Sequence, residues 1–127
     1  MTRILVVDDR DDVRQVLTGL LVSEGYEVVE ATDGLQVPDK VRRHRPDLIL
    51  LDIIMPVMDG FNVLKMLKKD PESRAIPVIV VSGASSGVNV DRARLLGAAD
   101  FLVKSAPPDV VLGRVRWALS EARVSAT

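Results

Sequence analysis

The sequence predicts an α/β domain built on a parallel sheet with helices on both faces. Three observations carry that prediction. Short β-branched apolar runs alternate with segments of helical period, and the runs are continuous Ile/Leu/Val rather than alternating, as in strands covered on both faces. At 127 residues the chain has the length of one domain able to bury its own core.

The elements follow in order. "RILVVDD" (3–9) reads as the first strand. "DVRQVLTGLLVSEG" places Val13, Val16, Leu17, Leu20 and Leu21 on one helical stripe, and Gly25 suits its end. "YEVVEAT" (26–32) is a second strand. Asp33 can cap the next helix, which closes in "KVRRHRPD" near Pro46. Pro38 would then fall about five positions in, where the missing N–H costs ~3 kcal/mol unless the helix starts later or kinks.

"DLILLD" (47–52) is the third strand. "GFNVLKMLKKD" carries Phe61, Leu64 and Leu67 at helical spacing, with lysines where cations suit the helix dipole. "IPVIVVSG" (76–83) is the fourth strand, "VNVDRARLLGAAD" spans a weaker helix loosened by Ser85, Ser86 and Gly87, and "FLVK" (101–104) is the fifth strand. In "PPDVVLGRVRWALSEA" the prolines open a last helix with Val111, Val115, Ala118 and Ala122 inward, leaving residues 123–127 as a fraying tail. Five such units require right-handed crossovers and so a single parallel sheet.

Composition narrows the class without assigning a role. The chain has no cysteine, so neither a disulfide framework nor a thiolate metal site is available, in keeping with a reducing cytoplasm. With 17 basic and 18 acidic residues, it has no global pull toward nucleic acid or anionic membrane. No apolar run approaches the ~20 residues that span a bilayer, and the acids in "MTRILVVDDR" do not suit a signal peptide.

The chemistry collects at strand ends. Asp8 and Asp9 follow the first strand, Asp52 ends the third, Ser82 the fourth and Lys104 the fifth. In open parallel sheets the ligand site lies beyond these carboxyl ends, at the switch in strand order. This explains why "LLDIIMPVMDG" carries an acid to the end of an apolar run: the strand delivers Asp52 to a shared site, and a turn through Pro56 and Gly60 keeps the backbone clear. Three gathered carboxylates repel unless a cation intervenes, and an all-oxygen set favours a hard one such as Mg2+, with Mn2+ as a substitute. With Lys104 and the Ser82 hydroxyl added, the set suits a carboxylate that receives a phosphoryl group.

"VVDD", "LLDIIMPVMDG", "VVSG" and "GAADFLVK", collinear over residues 3–122, together resemble the response-regulator receiver domain of two-component signalling. The resemblance implies a flavodoxin-like doubly wound sheet of order 2-1-3-4-5 with five helices, in a receiver domain spanning 1–122. It implies Asp52 as phosphoacceptor from a histidine kinase, a histidine phosphotransfer protein or small phosphodonors. Asp9 would be a direct Mg2+ ligand, Asp8 a metal-shell acid acting largely through water, and the Ile54 carbonyl a further ligand. Ser82 and Lys104 would hold the phosphoryl oxygens, and Phe101 occupies the family's switch aromatic. The output face would be the fourth helix, fifth strand and fifth helix, which meets a downstream effector and can form a homodimer on activation.

Several residues depart from the family pattern or stand outside it. Ser105 replaces the proline usual after the lysine, so a trans Lys104–Ser105 bond is expected, since cis before a non-proline residue costs about 2.5–4 kcal/mol. Phe101 has no phenol, so its rotation would rest on packing. Ile54 is bulky where it can restrict the water that hydrolyses an acyl phosphate. His44 reads as a solvated helix-end cation. Trp117, off the core stripe and beside Val110, marks an apolar spot on the last helix.

Three other functions compete. A phosphatase with Asp52 as nucleophile wants a second acid two residues on, where Ile54 stands. A flavin or nucleotide binder wants a glycine loop after the first strand, where "DDRDD" stands. A degenerate receiver acting through phosphorylation-independent partner binding conflicts with the intact acid set, though Ser105 keeps it open.

Overall fold

In the structure, a computed structural model that describes residues 1–55, 57–83 and 87–126, five parallel strands form one sheet in the order 2-1-3-4-5. The strands are β1 (Arg3–Val7), β2 (Glu27–Ala31), β3 (Leu48–Asp52), β4 (Val78–Ser82) and β5 (Asp100–Val103). The helices are α1 (Asp11–Ser23), α2 (Val37–His44), α3 (Gly60–Lys69), α4 (Gly87–Leu95) and α5 (Pro108–Ala126). The fold is flavodoxin-like. Pro56, Ser85 and Ser86, to which the sequence assigned a turn and a loosened helix start, lie outside the described residues.

Alternate residues along each strand feed two cores. Leu5, Val7, Ile49, Leu51, Val78 and Val80 face α2, α3 and α4. Ile4, Val6, Leu48, Leu50, Ile79 and Val81 face α1 and α5. Every residue of β3 and β4 is buried, which accounts for their unbroken apolar runs, whereas the edge strand β2 has only Ala31 fully buried.

Local chemistry sets the helix starts. Asp33 accepts hydrogen bonds from the N–H groups of Leu35 and Gln36, but it caps a 3-10 turn over Gly34–Gln36 rather than α2 itself. α2 starts at Val37, which puts Pro38 in its first turn, where the missing N–H is tolerated. This is the later start expected of that proline. Asp59 caps α3 by accepting from Asn62 N–H at 3.0 Å.

Two expectations fail. Val16, placed on the α1 core stripe, is 70% exposed, because the burial line of α1 runs through Leu17 and Leu21. α5 continues to Ala126, through the stretch read as a tail. After Gly113 no glycine or proline interrupts it, and Leu112 and Leu119 add buried contacts to the expected stripe. No cis peptide bond occurs among the described residues, so the bond before Ser105 is trans.

Candidate functional site at the strand ends

The parallel register brings the named groups to one edge. Val7 pairs with Leu51, Asp52 with Val81 and Ser82 with Val103, so Asp8, Asp52, Ser82 and Lys104 emerge side by side at the carboxyl ends. A backbone hydrogen bond of 2.8 Å from Lys104 N–H to the Ser82 carbonyl ties the ends of β4 and β5 together. One carboxylate oxygen from each of Asp8, Asp9 and Asp52 lies within 4.8 Å of the other two.

Burial divides the three acids by task. Asp8 and Asp52 are almost fully buried, whereas Asp9 is exposed and opens the cluster to solvent. Lys104 supplies the compensating charge. Its Nζ lies 3.0 Å from Oδ2 of Asp8 and 3.2 Å from Oδ2 of Asp52, bridging the two buried carboxylates. The remaining oxygens meet backbone donors: Ile54 N–H donates to Oδ1 of Asp52 at 3.2 Å, and Arg10 N–H to Oδ1 of Asp8 at 2.9 Å.

These contacts set the protonation behaviour. Burial pushes the Asp52 carboxyl above the usual carboxylate range; the Ile54 N–H opposes it, the charge of Asp8 adds to it, and Lys104 opposes it again. For Lys104, burial disfavours the ammonium. Hydrogen bonds and charge attraction from Asp8 and Asp52 together outweigh burial, and its pKa is raised. The site therefore holds a fixed ammonium beside a carboxylate that is costly to ionise alone. An acid cluster of oxygen donors only, with one solvent-facing member, is compatible with a hard divalent cation.

Other sequence candidates fall in different places. Ser82 is fully buried at the end of β4. The Ile54 side chain is 65% exposed and turned away from the core. Phe101 is half-buried against the α2–α3–α4 core. His44 ends α2 before β3 begins, at the opposite end of the sheet from the acids, and its carbonyl accepts from Arg3 Nη1.

Of two supporting residues, one escaped the sequence reading and the other was read there only as part of a turn. Arg14 donates to the Asp8 carbonyl at 2.9 Å, to Asp11 at 2.5 Å and to Glu30 at 2.9 Å, lashing the acid-bearing loop to α1 and β2. A signal was available: an arginine in the first turns of a helix opposes the helix dipole and needs another partner. Gly60 is the second. A Cβ there would come within 2.3 Å of the Asp52 carbonyl oxygen and 2.4 Å of the Ile53 Cα, so only glycine lets α3 start this close to β3. Gly60 N–H also donates to the Ile53 carbonyl at 2.9 Å.

Comparison with known proteins agrees with this geometry. The sequence profile of the response regulator receiver domain matches residues 4–116. The chain is 41% identical over 114 residues to the response regulator PleD of Caulobacter vibrioides, covering 90% of this chain but only 25% of that protein. It is 39% identical over 120 residues to the chemotaxis protein CheY of Bacillus subtilis, covering 93% of this chain and 98% of that one. Among solved structures, a CheY-like receiver domain protein from Methanospirillum hungatei superposes with a TM-score of 0.91 at 28% identity, covering 98% of each chain. With four strand ends converging on one acid pocket, and with this match along nearly its whole length, the chain belongs to the response-regulator receiver family.

Proposed function

We propose that this chain is a phosphorylation-controlled signalling module in which Asp52 accepts a phosphoryl group. The observation that carries the reading is the bridging of Asp8 and Asp52 by Lys104 beside the solvent-facing Asp9. A carboxylate oxygen of Asp52 attacks phosphorus, and the bond from phosphorus to the donor nitrogen or oxygen breaks. The donor is the phosphohistidine of a histidine kinase or phosphotransfer protein, or an acyl phosphate. The leaving imidazole keeps its electron pair and takes up a proton.

Mg2+, or Mn2+ in its place, would be held by Asp9, Asp52 and the Ile54 carbonyl with Asp8 in its water shell, and would supply the neutralising charge for the phosphoryl oxygens. Lys104 pairs with one of those oxygens and the Ser82 hydroxyl donates to another. Binding at Ser82 is then passed to Phe101 and the α4–β5–α5 face, where an effector or a second activated copy associates. The module works in the cytoplasm and turns over only its own acyl phosphate, so it is not an enzyme in the ordinary sense. A phosphatase reading is disfavoured by the exposed Ile54 where a proton-donating acid would stand.

The test is intact-mass measurement after incubation with acetyl phosphate and Mg2+. One added phosphoryl group is expected, absent in Asp52→Asn and without Mg2+, and formed at least about tenfold more slowly in Lys104→Met. A protein whose mass does not change under these conditions, or that gains the group equally in Asp52→Asn, refutes the reading.

A further inference from the structure

Val16 is 70% exposed on α1, and the core makes no use of it. It is not an isolated apolar residue, however. Val13, Val16, Leu17 and Val81 line a cavity of about 240 Å³ together with Asp12 and Lys104. Leu17 and Val81 are its buried members, Val13 is half-buried, and Val16 stands at the solvent side. Lys104 belongs to both the cavity and the acid site. It lines the one, and its Nζ lies 3.0 Å from Asp8 and 3.2 Å from Asp52 in the other.

We propose that this cavity receives the hydrocarbon tail of a small acyl phosphate whose phosphoryl group passes to Asp52, so that short-chain acyl phosphates longer than acetyl are the preferred small donors. The proposal rests on the reading of Asp52 as phosphoacceptor and adds to it a substrate class. In the transfer an Asp52 oxygen attacks phosphorus, and the bond from phosphorus to the bridging oxygen breaks. The acyl carboxylate leaves with the electron pair of that bond and needs no proton.

The leaving oxygen lies in line with the attacking one, on the side of phosphorus away from Asp52. The acyl chain attached to it has two directions to take. Toward Asp9 it meets an exposed carboxylate and water. Across Lys104 it meets four aliphatic side chains, and burial there is favourable.

Size sets the length of the tail. An apolar cavity of roughly 150 Å³ holds a benzene ring, so the space here takes a chain of about four to six carbons. An acetyl group has a single methyl beyond its carbonyl and leaves most of that volume unfilled. Asp12 sets the polarity. Its carboxylate is exposed beside the cavity, and the hydrogen bond from Arg10 holds it below the usual carboxylate range, so it stays ionised. A tail ending in a second carboxylate meets that charge and the aliphatic wall together.

The test compares acetyl, butyryl and succinyl phosphate at equal, sub-saturating concentration with Mg2+, following phosphoryl uptake of the full chain by intact mass. Acetate and butyrate are leaving groups of nearly equal basicity, so only the tail separates their donors. Butyryl phosphate should react at least about fourfold faster than acetyl phosphate, the gain from burying one of its two additional methylene groups. Succinyl phosphate should be no faster than acetyl phosphate. Val13→Thr and Val16→Asn, which make the wall polar, should each lower the butyryl-to-acetyl ratio at least about twofold. Thermal unfolding of both variants shows whether the fold is kept; taking a ratio within each variant removes any general loss of reactivity. Equal rates from acetyl and butyryl phosphate overturn the proposal while Asp52 stands as phosphoacceptor. A ratio that neither substitution moves overturns it too, because the tail then lies elsewhere. No uptake from any of the three donors refutes the phosphoacceptor reading itself, and this proposal with it.

Discussion

Gly60 and Asp52 are in contact so close that the α3 glycine has no room for a side chain: its Cβ would lie 2.3 Å from the Asp52 carbonyl oxygen. The neighbouring atoms are β3 backbone, which cannot swing aside. Gly60→Ala therefore displaces either α3 or the end of β3. Thermal unfolding is expected to show a loss of about 1–3 kcal/mol, with slower phosphoryl uptake from acetyl phosphate. A variant as stable and as reactive as wild type contradicts this packing.

The raised pKa of Asp52 gives a pH signature. The folded chain holds this proton more tightly than the unfolded chain, so ionised Asp52 penalises the fold. The penalty is complete above the folded-state pKa, shrinks as pH falls through it, and vanishes below the unfolded value. Without divalent cation, Asp52→Asn should melt a few degrees above wild type at pH 7, the scale of about 1 kcal/mol for a domain of this size. The gap should close as pH falls through the carboxylate range. A gap of opposite sign, or one independent of pH, rejects the assignment.

Arg14 is a positioning residue: it holds the Asp8 carbonyl and, through it, the acid-bearing loop. Arg14→Ala should weaken binding of Mg2+ or Mn2+, measured by calorimetry, by roughly tenfold, the lower end of the range found for outer-shell partners. Lys cannot reproduce three separate contacts from one planar fork. Arg14→Lys should therefore recover only part of the affinity. Unchanged cation binding in Arg14→Ala would show that the loop holds itself.

The exposed Ile54 side chain bears on the lifetime of an acyl phosphate. Two residues from a phosphorylated Asp52, its bulk would restrict an attacking water, whereas a polar group there would orient one. Phosphate release from the phosphorylated protein should be several-fold faster in Ile54→Asn and Ile54→Glu than in wild type. Equal time courses dispose of the idea.

The amino-acid sequence by itself determined the element order, the parallel sheet and the edge on which chemistry gathers. Unbroken runs such as "LILLD" leave no alternative to strands covered on both faces, and polar groups at their ends have only one edge to occupy. It also marked Pro38 as the reason α2 starts late. Tertiary structure decided what depends on contacts between segments far apart. Val16 has the spacing of a core residue yet faces outward, because helical period fixes a stripe only to within a side chain's width. A cation in the first turns of α1 signals that Arg14 needs a partner but not that the partner is Asp8, and the need for glycine at position 60 comes from backbone at the end of β3, eight residues away in sequence. The Lys104 bridge between Asp8 and Asp52 joins residues up to 96 positions apart, and only the register of four strands makes it possible.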